Sequence, residues 1–249
     1  MVVAVIPARY GATRFPGKPL VDIRGKSMIQ RVWERTQAAP AVGRVLVATD
    51  DERIAEHVRA FGGEVMLTRA DHRSGTDRCA EVAAGMPEAE VVLNVQGDEP
   101  FVHPEQIELL VQTLRERPAC AVATLAKRIE QADELFSPHV VKVVFSARQQ
   151  ALYFSRQPIP YVRQTPPKEW IETTAFYKHL GLYAFQRATL LQLAQLPPSA
   201  LERAESLEQL RWLESGYSIA VGLTTLDTAG IDTPEDLERL LASLPEEDL

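Results

Sequence analysis

Three cations, Arg9, Arg14 and Lys18, lie close together in the segment IPARYGATRFPGKPL, Ile6 to Leu20, and no acid shares that segment. Guanidinium and ammonium groups on a glycine-bearing loop suit an anion. Phosphate is the usual one, because backbone N–H groups, Arg and Lys all match its oxygens. The alternative is a surface loop whose cations are only solvated. The Walker pattern G-x-x-x-x-G-K-[ST] fails here twice: Gly11 and Gly17 are one residue too far apart, and Pro19 stands where the metal-binding hydroxyl belongs. A G-x-G-x-x-G dinucleotide fingerprint is absent. Asp98, preceded by Gln96 and Gly97, follows the apolar run VVLNV. A carboxylate there is well placed to hold Mg²⁺, which takes one or two carboxylates plus substrate phosphates. Asp232 is a candidate second ligand and Asp227 competes with it. Read alone, Asp98 is equally a turn residue and Asp232 equally a neighbour of a helix cap. Ser74-Gly75-Thr76-Asp77-Arg78 offers hydroxyls and a cation for a base or phosphate, or simply a helix cap. Glu208 and Arg211 read as a surface pair three apart on a helix. No G-x-S-x-G elbow is present.

These residues need elements to position them. Val2–Ile6, Val45–Ala48, Glu64–Leu67, Val91–Val95 and Ala121–Leu125 read as short strands. Between them, Ser27 to Ala39 reads as a helix opened by a Ser-x-x-Gln capping box and burying Met28, Ile29, Val32 and Trp33. Asp50 reads as the cap of the next helix, with Gly62 past its end. Pro104 starts a third helix that stops before Pro118. This alternation predicts an α/β, Rossmann-like, mostly parallel sheet, with ligands outside the carboxyl ends of its strands. The Arg/Lys loop, Thr49-Asp50, Thr68 to Arg78 and Gln96 to Pro100 then share one crevice. Later, Val140–Phe145 and Ala151–Phe154 read as a hairpin. Ser155 to Lys178 reads as a long irregular stretch, and Leu180–Phe185 and Ile219–Leu223 as strands. Helices follow Arg187 and Ser199, and Thr233-Pro234 opens the last one. One domain over 1–249 is expected, with a nucleotide-binding part at about 1–125 and an arm at about 140–185.

Composition narrows the class. The chain has 249 residues, 45% hydrophobic and 24% charged, as in ordinary globular proteins. Its formal charge of −7 disfavours nucleic acid as a partner, so phosphate would be met by a local cluster of cations. No apolar run is long enough to cross a bilayer, and the N-terminal run is too short for a signal peptide. Cys79 and Cys120 sit among small apolar residues and read as buried free thiols. A cytoplasmic location follows from these features.

Together, IPARYGATRFPGKPL, DHRSGTDR, NVQGDEP, HLGLYAF, LEQLR and IDTPEDLER resemble the 3-deoxy-manno-octulosonate (Kdo) cytidylyltransferases, from Val3 to about Leu240. The resemblance implies a GT-A-type nucleotidyltransferase fold with a smaller dimerisation and sugar-binding arm, a homodimer, and Mg²⁺. It implies CTP and Kdo as substrates, with CMP-Kdo and pyrophosphate as products, feeding lipopolysaccharide synthesis. By motif, Arg9, Arg14 and Lys18 would grip the triphosphate. Ala8, Arg9, Ser74 and Arg78 would hold the nucleotide and select cytosine. Asp98 and Asp232 would hold the metal, and Gln96, Arg156, His179, Tyr183 and Glu208 would face the acid sugar. Rivals are a sialic acid cytidylyltransferase, a sugar-1-phosphate nucleotidyltransferase, a non-catalytic nucleotide-binding protein and an NAD-dependent oxidoreductase. The missing glycine fingerprint counts against the last.

Overall fold

The protein, seen here as a computed structural model, is described over residues 1–11, 15–228, 230–231 and 233–243. In chain order the first elements are β1 (Val2–Ala8), β2 (Asp22–Ile23), β3 (Lys26–Ser27), α1 (Met28–Gln37), β4 (Arg44–Thr49), α2 (Glu52–Ala60) and β5 (Glu64–Leu67). Then come α3 (Gly75–Ala84), β6 (Val91–Asn94), α4 (Pro104–Glu116), β7 (Val122–Arg128), α5 (Ala132–Phe136), β8 (Lys142–Phe145) and β9 (Ala151–Ser155). The rest are α6 (Trp170–Thr173), β10 (Tyr177–Gln186), α7 (Arg187–Leu193), α8 (Ala200–Glu205), α9 (Gln209–Glu214), β11 (Ile219–Thr224) and α10 (Pro234–Ser243). The sheet is mixed and mostly parallel, the expected α/β architecture. The described residues form two compact units: those within 1–108 and 228–243, and residues 109–227.

In the first unit β6, β1, β4 and β5 lie side by side, all parallel. The pairs Val5↔Asn94, Ala8↔Thr49 and Thr49↔Leu67 bring their carboxyl ends to one edge. Val2 to Ile6 and all of β6 are buried, because crossover helices cover both faces of such a sheet. β1 runs two residues past the expected Ile6. Pro7 still pairs with Ala48, so its missing N–H does not end the strand. The loop after it also contains one tight 3₁₀ turn, Lys18–Leu20, entered through Gly17 at φ 73°. A side chain at 17 would meet the Tyr10 ring at 3.2 Å in a backbone conformation that glycine alone adopts freely.

Three local expectations change. Ser27 caps α1 by accepting from the Gln30 N–H, but the Gln30 side chain bonds Glu34, so the reciprocal half of the capping box is not made. Trp33 is only half-buried; Arg31 is buried in its stead, its guanidinium donating to the Ile23 carbonyl at 2.6 and 2.9 Å. The α2 cap is Asp51, which accepts from the Arg53 N–H, and not Asp50. Thr233 caps α10 with Pro234 at its start, as expected. Ile23, Met28 and Ile231 form a small core with Leu237 and Leu240 of α10 packed on it.

In the second unit β7 lies between β11, parallel to it, and β10, antiparallel. β8 pairs with β10 and with β9, giving the expected hairpin. The 155–178 stretch is less irregular than its prolines suggest. Trp170 and Phe176 join Ile129 and Leu135 in a buried cluster, and α6 forms where Trp170 enters it. Burial of two large aromatic side chains outweighs the weak helix tendency of a proline-rich segment. Cys79 and Cys120 are buried free thiols.

Candidate active site

The carboxyl edge of β6-β1-β4-β5 opens into a cleft of about 380 Å³. Its walls include Ala8, Arg9, Lys18, Ser74, Arg78, Gln96 and Asp98, residues far apart in sequence that the parallel sheet gathers at one end. Arg9 is exposed just beyond β1. The Lys18 ammonium donates to Asp98 Oδ2 at 2.7 Å and to the Ile231 carbonyl at 2.9 Å. The Ile231 N–H in turn donates to the Asp98 carbonyl at 2.9 Å, tying the segment before α10 to the Asp98 turn. Gly97 permits the Asp98 turn to lie close to β1: a Cβ there would be 2.8 Å from the Pro7 carbonyl oxygen.

Ser74 caps α3 by accepting from the Asp77 N–H at 3.1 Å, and it also lines the cleft. Capping and ligand contact are therefore compatible, because the helix N-terminus itself opens onto the cleft and favours an anion. Arg78 is buried, its Nη2 2.8 Å from Asp50 Oδ1 and its Nη1 donating to Thr68. His72, a wall residue, is bound to Glu81. Glu99 serves the turn through its backbone, accepting from the Val102 N–H. Burial and the neighbouring Asp98 charge push its carboxyl up to about 8. Arg14 and Asp232, expected as phosphate and metal ligands, lie outside the described residues. Asp227, the competing metal ligand, is held by Lys127 and Lys178 at 2.8 Å each, which lowers its pKa against the opposing effect of burial.

Among the described residues no three His, Cys, Asp or Glu side chains cluster as a metal site. Asp98 nonetheless offers a hard carboxylate oxygen beside a cationic loop. That donor set fits Mg²⁺ held jointly by protein and nucleotide phosphates.

Four expected sugar-facing residues belong to the second unit. His179 and Tyr183 lie on β10, flanking a register shift between Leu180 and Tyr183. The Thr124 hydroxyl sits 2.9 Å from His179 Nε2 and 2.8 Å from the Leu182 carbonyl. The same hydroxyl also lies 3.2 Å from the Leu180 carbonyl, so one threonine ties the His179 ring to the irregular turn of β10. Burial depresses the His179 pKa to about 3 and raises that of Tyr183 well above its usual value, with Glu208 adding to the latter. Tyr183 also packs edge-on against Trp212. Arg156 donates to the carbonyls of Glu205, Pro138 and Ser206. Lys142, not anticipated from sequence, is fully buried and donates to the carbonyls of Ser137, Val140 and Arg156. A lysine inside a strand of valines was its only sequence signal. The Glu208–Arg211 surface pair does not describe what Arg211 does: its guanidinium is buried and forks onto Glu202 at 2.5 and 2.7 Å. Ser199 and Glu202 form a full capping box on α8, so Glu202 stands fixed to receive it.

Comparison with known proteins agrees with this geometry. The cytidylyltransferase family model matches residues 3–219. A 3-deoxy-manno-octulosonate cytidylyltransferase from Cytophaga hutchinsonii is 54% identical over 96% of both chains. One from Syntrophobacter fumaroxidans is 51% identical over 99% of this chain and 98% of its own. The solved structure of a CMP:2-keto-3-deoxy-manno-octonic acid synthetase, complexed with CTP, superposes with a TM-score of 0.90 at 49% identity, covering 97% of each chain. A cytidylyltransferase from Leptospira borgpetersenii, at 17% identity and a TM-score of 0.63, shares the fold. The cleft at the strand ends, the family match over most of the chain and relatives at half identity over nearly all of it agree: the chain belongs to the 3-deoxy-manno-octulosonate cytidylyltransferase family of nucleotidyltransferases.

Proposed function

We propose that the cleft binds CTP and that the protein transfers its cytidylyl group to Kdo, releasing pyrophosphate. The observation that carries this reading is the meeting of Arg9, Lys18, the α3 N-terminus and Asp98 in one cleft. Arg9, Arg14 and Lys18 hold the triphosphate. Ala8, Ser74 and Arg78 hold the nucleoside. Gln96, Arg156, His179, Tyr183 and Glu208 receive the acid sugar. The anomeric hydroxyl attacks the α-phosphorus in line; a new P–O bond forms, the bond to the β-phosphate bridging oxygen breaks, and the hydroxyl proton leaves to solvent. Catalysis is mostly positioning and charge stabilisation. Asp98 and Asp232 would hold Mg²⁺, which when bound would supply neutralisation of phosphate charge. Lys18 and Arg14 stabilise the departing pyrophosphate. A cytoplasmic homodimer completes the reading.

The test is pyrophosphate release with Mg²⁺ and Kdo, comparing CTP with UTP, ATP and GTP, and Kdo with sialic acid and sugar 1-phosphates. Release with CTP and Kdo above all other pairs is expected. A sugar 1-phosphate as the sole productive acceptor would overturn the reading.

A further inference from the structure

Asp50 follows β4 directly, at the same strand-end edge as the cleft. Sequence alone makes it a helix cap, yet Asp51 takes that duty. The Asp50 carboxylate is turned instead to Arg78, 2.8 Å from its Nη2. Arg78 is a cleft wall with only 6% of its side chain exposed, whereas Asp50 is 26% exposed. A guanidinium so far from water needs a partner, and a carboxylate against its planar fork fixes its orientation as well as its charge. The Thr68 hydroxyl takes a second nitrogen, so β4, the end of β5 and α3 together set the plane of this group.

We propose that Asp50 is a positioning residue for nucleobase choice. It aims Arg78 so that N–H donors meet the O2 and N3 acceptors of a cytosine. Uracil carries a hydrogen on N3 and presents a donor there, so a correctly held guanidinium discriminates against it. The inference rests on the reading of the cleft as a CTP site. Asp50 itself touches no substrate; it acts through Arg78.

The experiment uses full-length protein and measures kcat and KM for CTP, UTP and the acid sugar, with thermal unfolding alongside, for wild type, Asp50→Asn, Asp50→Glu, Arg78→Ala and the Asp50→Asn/Arg78→Ala double variant. Asp50→Asn is expected to raise KM for CTP about tenfold, as loss of one charge-assisted hydrogen bond would. It should lower the CTP-to-UTP preference while leaving kcat and the sugar KM within about threefold, again on the scale of that single bond. The double variant should match Arg78→Ala alone, because residues in one network are not additive. Asp50→Glu keeps the charge but displaces it by one methylene, so it should fold and still lose nucleotide selectivity. A folded Asp50→Asn with wild-type KM and preference would overturn the proposal. So would additive effects in the double variant, or an unfolded Asp50→Asn beside an Asp50→Glu of wild-type selectivity, which would mark a purely structural pair. A wild type inert with CTP would sink the nucleotide reading and this inference with it. An active wild type with an unaltered Asp50→Asn sinks the inference alone.

Discussion

Lys18 and Asp98 are bonded to each other, and in the proposed reading substrate would give each a new partner. The Lys18 ammonium now neutralises Asp98 at 2.7 Å; a triphosphate would compete for that ammonium and leave the carboxylate to a metal. Lys18→Ala and Asp98→Asn are each expected to lower kcat by about 100-fold or more, the scale of losing one contact to developing charge. Neither should unfold the protein, since both sit on a cleft wall and not in the core. Pyrophosphate release and thermal unfolding check this, and a fully active Asp98→Asn protein would end the metal assignment. His179 gives a second residue-scale prediction. Its folded pKa, about 3, lies below the ordinary 6.5 because the ring is buried. Between those values the unfolded chain takes up a proton that the folded chain refuses, so stability falls as pH drops below 6.5. At pH 5 the cost is about 2 kcal/mol, at most about 1.4 kcal/mol per pH unit. Comparing chemical denaturation of wild type and His179→Gln at pH 5 and 7 isolates the effect; equal pH sensitivity in both would refute it.

At the scale of elements, the cleft exists because β1 and the Asp98 turn approach closely. Gly97 has no side chain, and a Cβ there would come within 2.8 Å of the Pro7 carbonyl, a backbone atom that cannot swing aside. Gly97→Ala is therefore expected to destabilise the protein by about 1–3 kcal/mol, the usual cost of overpacking. It should also weaken CTP binding, because Ala8, Gln96 and Asp98 would be pushed apart. Thermal unfolding and nucleotide titration measure both, and an unchanged Tm with unchanged affinity would contradict the close approach. The register shift in β10 shows how an element can aim side chains: the strand HLGLYAF carries His179 and Tyr183 on either side of it, where Thr124 meets the Leu182 carbonyl and the His179 ring.

For the whole molecule, an acidic chain binding a triphosphate must supply local compensation. The net charge of −7 repels CTP at long range; the cations lining the cleft, the α3 N-terminus and, in the proposed reading, a divalent ion would offset it. Activity is accordingly expected to vanish with EDTA and to return with excess Mg²⁺, while the fold persists, because no described metal cluster holds the core together. Far-UV circular dichroism before and after chelation separates the two. Activity that survives complete chelation would remove the metal from the proposed mechanism.

Much of this was legible in the chain itself. The strand–helix rhythm set a mostly parallel sheet, and parallel sheets place ligands at their carboxyl ends, so the Arg/Lys loop, Ser74 to Arg78 and Gln96 to Asp98 could be assigned to one crevice from the sequence. Composition, spacing and motif carry such local and topological facts. Partner choice was not legible. Asp50 and Asp51 are adjacent and chemically identical, and only the position of Arg78 on α3 decides which one caps a helix and which one braces a cleft wall. Arg211 chose Glu202 over a surface role, and Lys142 found three backbone carbonyls inside the second unit, for the same reason. Sequence fixes which groups a residue carries. Burial and distance, which exist only once the chain has folded, decide which of those groups meet.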